Sequence, residues 1–262
     1  MFDYHVHSSY SGDCSTSLED MTRSAIVKGL AEVCFTDHIE HAYAHPARPY
    51  DFEVAEYLKE ISLLQEKYKH RIKIKKGVEI GVRPHFLKGF QKLVDQHNFD
   101  FVLASLHVCD HKGISSGEFF QGKTTIESYR QYYEELYYCT RNFEGFNVLG
   151  HLDLLKRHST PPKTELFLDI ITEILNNLIS RGKGIEVNTS GLRTSLNETL
   201  PALDIVRLYK SLGGEIITLG SDSHSPKYLG CKFPEVCAQL KDIGFQYITT
   251  FTEQTPEFIK IP

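Results

Sequence analysis

The chain opens Met1-Phe2-Asp3-Tyr4-His5-Val6-His7-Ser8-Ser9-Tyr10-Ser11-Gly12-Asp13, a short apolar run that breaks off at two histidines and a polar turn. Residues two apart in a strand point to the same side, so His5 and His7 aim both imidazoles at one point. Neutral imidazole is a common metal ligand. A His-x-His alone often just faces solvent. Here five further apolar runs end in, or run directly into, a residue of the same ligand class: Asp37-His38, Glu79, His107, His151, and Asp222 with His224.

Strand and helix alternate through the chain. Residues 2–7 predict the first strand. Ser17 caps a helix over 17–28, with Asp20 at the capping-box position and Gly29 as the stop. Strands are predicted over 31–36, 72–78 (ending at Glu79), 100–106, 146–150, 184–187 (ending at Asn188) and 215–220. Helices are predicted over 52–68, where Leu58, Ile61, Leu63 and Leu64 mark the apolar face, and over 84–97, 124–143, 163–181, 200–212 and 233–243. Residues 41–50 carry two prolines and no period, which predicts a long loop, and 245–251 predicts a short extra strand. The run Tyr129, Tyr132, Tyr133, Tyr137, Tyr138 reads as helix packing.

Continuous strand-helix alternation means a parallel sheet with helices outside. An open sheet gathers its ligand only at a switch point. A closed barrel brings the C-terminal end of every strand to one mouth. Polar residues at the ends of all seven strands therefore predict a single-domain α/β chain, 1–262, folded as a TIM-like (β/α) barrel of about seven strands, with a metal site at their C-terminal ends.

Composition narrows the function classes. Charged residues are 24% and hydrophobic ones 41%, as in ordinary globular protein. The net charge of -5 offers no basic footprint, so no nucleic-acid partner is expected. No basic region with a long apolar stretch opens the chain, so no signal peptide or membrane span is expected. The six cysteines form no Cys-x-x-Cys pair and several sit in apolar runs, which suits a reducing, cytoplasmic setting.

The candidate metal ligands are His5, His7, Asp13, His38, Glu79, His107, His151, Asp222 and His224. They exceed what one ion takes, so more than one metal is expected. A carboxylate such as Glu79 can bridge two ions. Metals about 3.5–4 Å apart clamp the attacking and leaving oxygens of a phosphoryl displacement and generate a hydroxide from bound water. No catalytic side chain beyond that metal-bound hydroxide is then needed. The donor set suits zinc, iron or manganese. Taken singly, His38 or His107 would be an ordinary strand-end histidine and Asp222 a helix cap; their joint placement favours ligation. His41, His45, His70, His85, His97, His111 and His158 are read as packed or solvated. Asp37, Asp153 and Asn188 are candidates for orienting ligands from behind.

The segments HVHSSYSGD (5–13), FTDH (35–38), GVEIG (77–81), ASLH (104–107), GHLD (150–153), EVNTSGLR (186–193) and GSDSH (220–224) together resemble the polymerase-and-histidinol-phosphatase (PHP) superfamily. GHLDLLKRH (150–158), EVNTSGLR and the terminal Tyr247-Ile248-Thr249-Thr250-Phe251 resemble its monofunctional histidinol-phosphatase branch. The resemblance implies a distorted (β/α)7 barrel, a trinuclear metal centre, and hydrolysis of L-histidinol phosphate to L-histidinol and phosphate in histidine biosynthesis. It also implies three ligand groups: His5, His7, Glu79 and Asp222; Glu79, His107 and His151, with Glu79 shared; and Asp13, His38 and His224. Asp13 stands where relatives carry histidine.

A small phosphomonoester needs cationic partners besides the metals. Arg157 and Arg193 follow the fifth and sixth strands, and guanidinium matches phosphate oxygens bidentately. Lys156 is the alternative to Arg157. Asp110 and Glu118, in the loop after His107, are candidates for the substrate's ammonium and imidazole. A PHP phosphoesterase acting on another phosphomonoester or on nucleic acid is the alternative activity.

Overall fold

The computed structural model describes residues 1–41 and 51–262. Seven strands run parallel and pair in chain order: β1 (Phe2–Val6), β2 (Glu32–Phe35), β3 (Lys73–Gly81), β4 (Phe101–Ser105), β5 (Val148–Leu149), β6 (Gly184–Asn188) and β7 (Ile217–Gly220). The two-residue strand His38–Ile39 adds to β3, setting His38 opposite Glu79. Ser223, just past β7, closes the ring: its N–H donates to the His5 carbonyl at 3.3 Å and its carbonyl accepts from His7 N–H at 3.0 Å. The expected seven-stranded barrel is the fold. Its first pairing is irregular between Asp3 and Val6, where the Thr36 hydroxyl accepts from Val6 N–H at 3.1 Å.

Helices cover the outside, so the strands are buried on both faces and read as continuous apolar runs. Ser17 Oγ accepts from Asp20 N–H at 3.0 Å, as the capping position predicts. Thr124 and Glu127 cap the long helix Thr125–Asn142 reciprocally.

Several boundaries differ from the sequence reading. β3 runs two residues past Glu79, because Gly81 still pairs with Ser105 on one side while Ile80 pairs with Ile39 on the other. β5 keeps only two residues. The helices after β3, β5 and β6 begin late, at Leu87, Leu168 and Leu203, behind proline-containing or 3₁₀ segments. Leu63 and Tyr138 face solvent rather than the core. The terminal strand is Tyr247–Thr252, and it forms an unforeseen hairpin with Thr255–Lys260. That hairpin reaches the barrel's foot, where the Tyr4 hydroxyl donates to Glu32 and accepts from Phe251 N–H at 2.8 Å. Apart from His41, the loop expected over 41–50 lies outside the described residues. Among the described residues, no helix is long and apolar enough to cross a membrane.

Asp3 ties the closing seam from below. Its buried carboxylate accepts from Ser221 N–H and Gly230 N–H, each at 2.9 Å. Leaving a buried N–H without a partner costs about 1–3 kcal/mol. Asp3→Ala should therefore lower unfolding stability by about 2–5 kcal/mol in urea titration; a loss below about 0.5 kcal/mol, the range of neutral surface changes, would show that Asp3 does not hold the seam.

Candidate metal centre

The strand ends deliver the ligand-class side chains to one point. His5 lies within β1 and His7 just past it; Glu79 lies within β3; His107 and His151 each lie two residues past a strand end; Asp222 and His224 lie in the turn after β7. Asp222 adopts the left-handed backbone region at φ 51°, which few side chains other than Asn and Asp tolerate.

The buried Glu79 carboxylate sits at the middle. Its Oε2 is 2.9 Å from His38 Nδ1, 3.3 Å from His5 Nε2 and 3.6 Å from His7 Nε2. Its Oε1 is 3.1 Å from His151 Nε2 and 3.4 Å from His107 Nε2, and those two nitrogens are 3.3 Å apart. Asp222 Oδ1 is 3.5 Å from His7 Nε2, 3.6 Å from His224 Nδ1 and 3.7 Å from His5 Nε2. Asp13 Oδ2 is 3.2 Å from His224 Nε2 and 3.6 Å from His38 Nε2.

These spacings fit metal ions. Ligands about 2.0–2.1 Å from a tetrahedral ion stand about 3.3–3.4 Å from one another. The triangle of Glu79 Oε1, His107 Nε2 and His151 Nε2 has edges of 3.1, 3.3 and 3.4 Å, matching one face of such a tetrahedron. His5 Nε2 and His7 Nε2 are buried and make no hydrogen bond of acceptable geometry, although carboxylates surround them. Among the described residues, four trios of ligand atoms lie within 4.8 Å of one another: His5-His7-Asp222, His5-Glu79-His151, His38-Glu79-His107 and His7-His38-His224.

Ligation needs ionised carboxylates and neutral imidazoles. The carboxylates and His7 meet this, whereas the surrounding carboxylates, against burial, push His5, His38 and His107 up, so a metal would displace their protons. Burial works against ionising Glu79, but His5, His38 and His107 outweigh it and hold its carboxyl well below the usual range. Asp222 is likewise held down, against burial, by His5 and Arg157. Burial, then the neighbouring imidazoles of His224 and His38, push His7 well below the usual imidazole range.

The outward-facing nitrogens are also held. The Ser11 hydroxyl is 3.0 Å from His7 Nδ1 and donates to Asp37 Oδ1 at 2.7 Å; Asp37 also accepts from Ser8 N–H at 2.6 Å. Asp37 thus backs a ligand through a serine. Asn188 Nδ2 donates to Glu186 Oε2 at 3.2 Å, and Glu186 in turn contacts His5. Asp153 touches no ligand; it binds Lys156 Nζ and Ala202 N–H, both at 3.0 Å. Glu186 and Glu40 were not singled out from the sequence. A signal existed, because Glu186 is two residues from Asn188 on the same strand face and Glu40 directly follows the short strand that opens at His38.

A cavity of about 140 Å³ lies over this floor, lined by Glu40, Arg157, Ile114, Ser115, Leu154 and His158 besides the ligands. Arg157 Nη2 donates to Asp222 Oδ2 at 2.9 Å and to Ser190 Oγ. Arg193 joins Arg157, Ser190 and Tyr228 in an adjoining recess; it donates to the carbonyls of Ser221 and Asp222 and stacks over Tyr228 at 4.6 Å. Lys156 is drawn away by Asp153 and Glu198. Asp110 lies in a separate recess with His85 and His111, 3.7 Å from Lys123, and Glu118 is exposed on a 3₁₀ turn; neither lines the cavity.

A PHP domain model matches residues 3–190. The chain is 34% identical to the histidinol-phosphatase of Lactococcus lactis over 257 residues, covering 95% of this chain and 94% of that one. It is 30% identical to a probable histidinol-phosphatase of Thermotoga maritima, covering 95% and 94%. The crystal structure of the Lactococcus lactis histidinol phosphate phosphatase complexed with zinc, L-histidinol and phosphate superposes with a TM-score of 0.90, covering 98% of each chain. Likeness to a zinc-bound structure and the ligand geometry agree on a metal centre.

Because both Glu79 oxygens face imidazoles, Glu79→Gln should lose more bound zinc than His224→Ala when dialysed protein is assayed by elemental analysis. Equal losses would contradict a central place for Glu79.

Proposed function

Since this chain belongs to the PHP domain family, we propose that it hydrolyses L-histidinol phosphate to L-histidinol and phosphate, a step of histidine biosynthesis. The observation that carries this reading is the cavity itself. Metal-ligand side chains form its floor and Arg157 its wall, in a chain that matches along almost its whole length an enzyme complexed with zinc, L-histidinol and phosphate.

The nine residues divide into three ion sites. His5, His7, Asp222 and Glu79 Oε2 make the first; Glu79 Oε1, His107 and His151 make the second; Asp13, His38 and His224 make the third. The triangle of close spacings supports the second, and the two-sided surroundings of Glu79 support its bridging role. Zinc, iron and manganese all suit these donors. When bound, the ions supply Lewis-acid polarisation of the phosphoryl oxygens and activation of water.

The chain's own residues orient the ester. Arg157 spends Nη2 on Asp222 and Ser190, leaving Nε and Nη1 without a partner among the described residues. Nη2 belongs to both forks of the guanidinium, so Nε–H and Nη1–H, which point to different sides, offer the phosphate one charged hydrogen bond rather than a bidentate clasp. Arg193 holds the turn carrying Asp222 and adds positive charge at the recess beside it. The remainder of the substrate lies against Ile114, Ser115, Leu154 and His158. Cys34, Cys109, Cys139, Cys231 and Cys237 form no disulfide, which fits work in a reducing cytoplasm.

Phosphate release should be faster from L-histidinol phosphate than from other small phosphomonoesters or from oligonucleotides; comparable rates on oligonucleotides would move the assignment to nucleic acid. His151→Ala and Asp222→Asn should cut kcat by at least about 100-fold while retaining native circular dichroism, because charge stabilisation at the reacting phosphoryl group is lost. Asn tolerates the left-handed backbone at position 222, so normal turnover in that variant would refute Asp222 as a ligand.

Arg157→Ala should lower kcat/KM by about 10–150-fold, the value of one lost charged hydrogen bond, with metal content unchanged. Lysine should rescue it only in part, because a compact ammonium cannot keep the Asp222 and Ser190 contacts and still present planar donors to phosphate. Wild-type kcat/KM in both Arg157→Ala and Arg193→Ala would place the phosphate cradle elsewhere.

A further inference from the structure

Two of the ligand imidazoles are backed by buried glutamates that are not among the nine candidate ligands. Glu186 Oε1 is 2.7 Å from His5 Nδ1, while its Oε2 accepts from His151 N–H at 2.9 Å. On the other side of the centre, Glu40 Oε1 hydrogen-bonds His107 Nδ1.

Each carboxylate fills a notch that a glycine leaves in the neighbouring strand. Gly220, paired with Asn188, lies beside Glu186; a Cβ there would overlap the Glu186 carboxylate and come within 2.6 Å of His5 Cβ. Gly81, which follows the pairing of Ile80 with Ile39, lies beside Glu40; a Cβ there would overlap the Glu40 carboxylate. Neither glycine has a positive φ, so the backbone does not demand glycine at either place. The close approach does.

We propose that Glu186 and Glu40, seated in the Gly220 and Gly81 notches, are positioning residues that hold His5 and His107 by Nδ1 and so turn each Nε2 toward the metal centre. A carboxylate accepting from Nδ1–H fixes the tautomer and ring orientation and makes the other nitrogen a stronger donor. The two pairs act on opposite sides of Glu79: His5 Nε2 is 3.3 Å from Oε2 and His107 Nε2 is 3.4 Å from Oε1. A larger residue at 81 would meet Glu40 first and break its hold, whereas one at 220 would crowd His5 Cβ as well as Glu186, so Gly81 is the cleaner probe. The inference rests on the metal-centre reading above.

The test is zinc affinity of the full chain, measured by chelator competition, for Glu186→Gln, Glu40→Gln, the corresponding alanine variants, Gly220→Ala and Gly81→Ala. Glutamine keeps the shape and an acceptor but not the charge; alanine keeps neither. Affinity should fall in the order wild type, glutamine, alanine, with the alanine variants weakened about 10–100-fold. The glycine variants should follow the alanine variants. Melting of the metal-free protein separates folding from binding, and the near-isosteric glutamine variants decide the matter if an alanine variant fails to fold. Wild-type zinc affinity in both glutamine and alanine variants, or a lowered melting temperature with unchanged affinity, would overturn the proposal while leaving the metal centre standing. A wild-type chain that binds no zinc would overturn both.

Discussion

A carboxylate with no solvent contact, set among imidazoles, is the constraint on which the site depends. Glu79 is fully buried. Stripping the partners from such a group costs about 3–5 kcal/mol, so the fold has to bring cationic or metal-bound partners to it. It does so from both sides: His5, His7 and His38 face one oxygen, and His107 and His151 face the other. No single helix or hairpin could supply ligands to both oxygens. A closed ring of parallel strands can, because each strand ends on the same rim. The seam where Ser223 joins His5 and His7 completes the ring and brings Asp222 over the same floor.

Much of this was legible from the sequence, because the relevant signal is positional. Parallel strands buried on both faces read as apolar runs, and a ligand at the end of each run is visible without any knowledge of contacts. All nine ligand candidates, Asp13 included, lie around one centre. Boundaries were harder. Apolarity at residues 146–150 suggests a five-residue strand, whereas only Val148 and Leu149 pair, between β4 and β6. Thr255–Lys260 gives almost no strand signal, since it carries Pro256 and is largely exposed; it is a strand because Tyr247–Thr252 pairs with it.

Charges in loops were read least well, because their partners are remote in sequence. Lys156 looks equivalent to Arg157 in the chain, but its neighbours Asp153 and Glu198 claim it. Asp110 and Glu118 share the loop after His107, yet the cavity wall there is Ile114 and Ser115. The glutamates behind His5 and His107 escaped notice for a different reason. Attention to strand ends passes over residues inside or just beside a strand, and the meaning of Gly81 and Gly220 depends on which side chain leans over them. On the proposed reading, phosphate chemistry needs few such details: bound ions would carry most of the charge stabilisation, and Arg157 would orient the ester.

The claim that Glu79 joins two ions is tested most directly by anomalous scattering at the zinc edge from crystals of the zinc-loaded chain. The account predicts separate peaks on the two sides of the Glu79 carboxylate, one beside His107 and His151 and one beside His5, His7 and Asp222, with a further peak beside Asp13 and His224. A single peak, with Glu79 and Asp222 both uncoordinated, would contradict it.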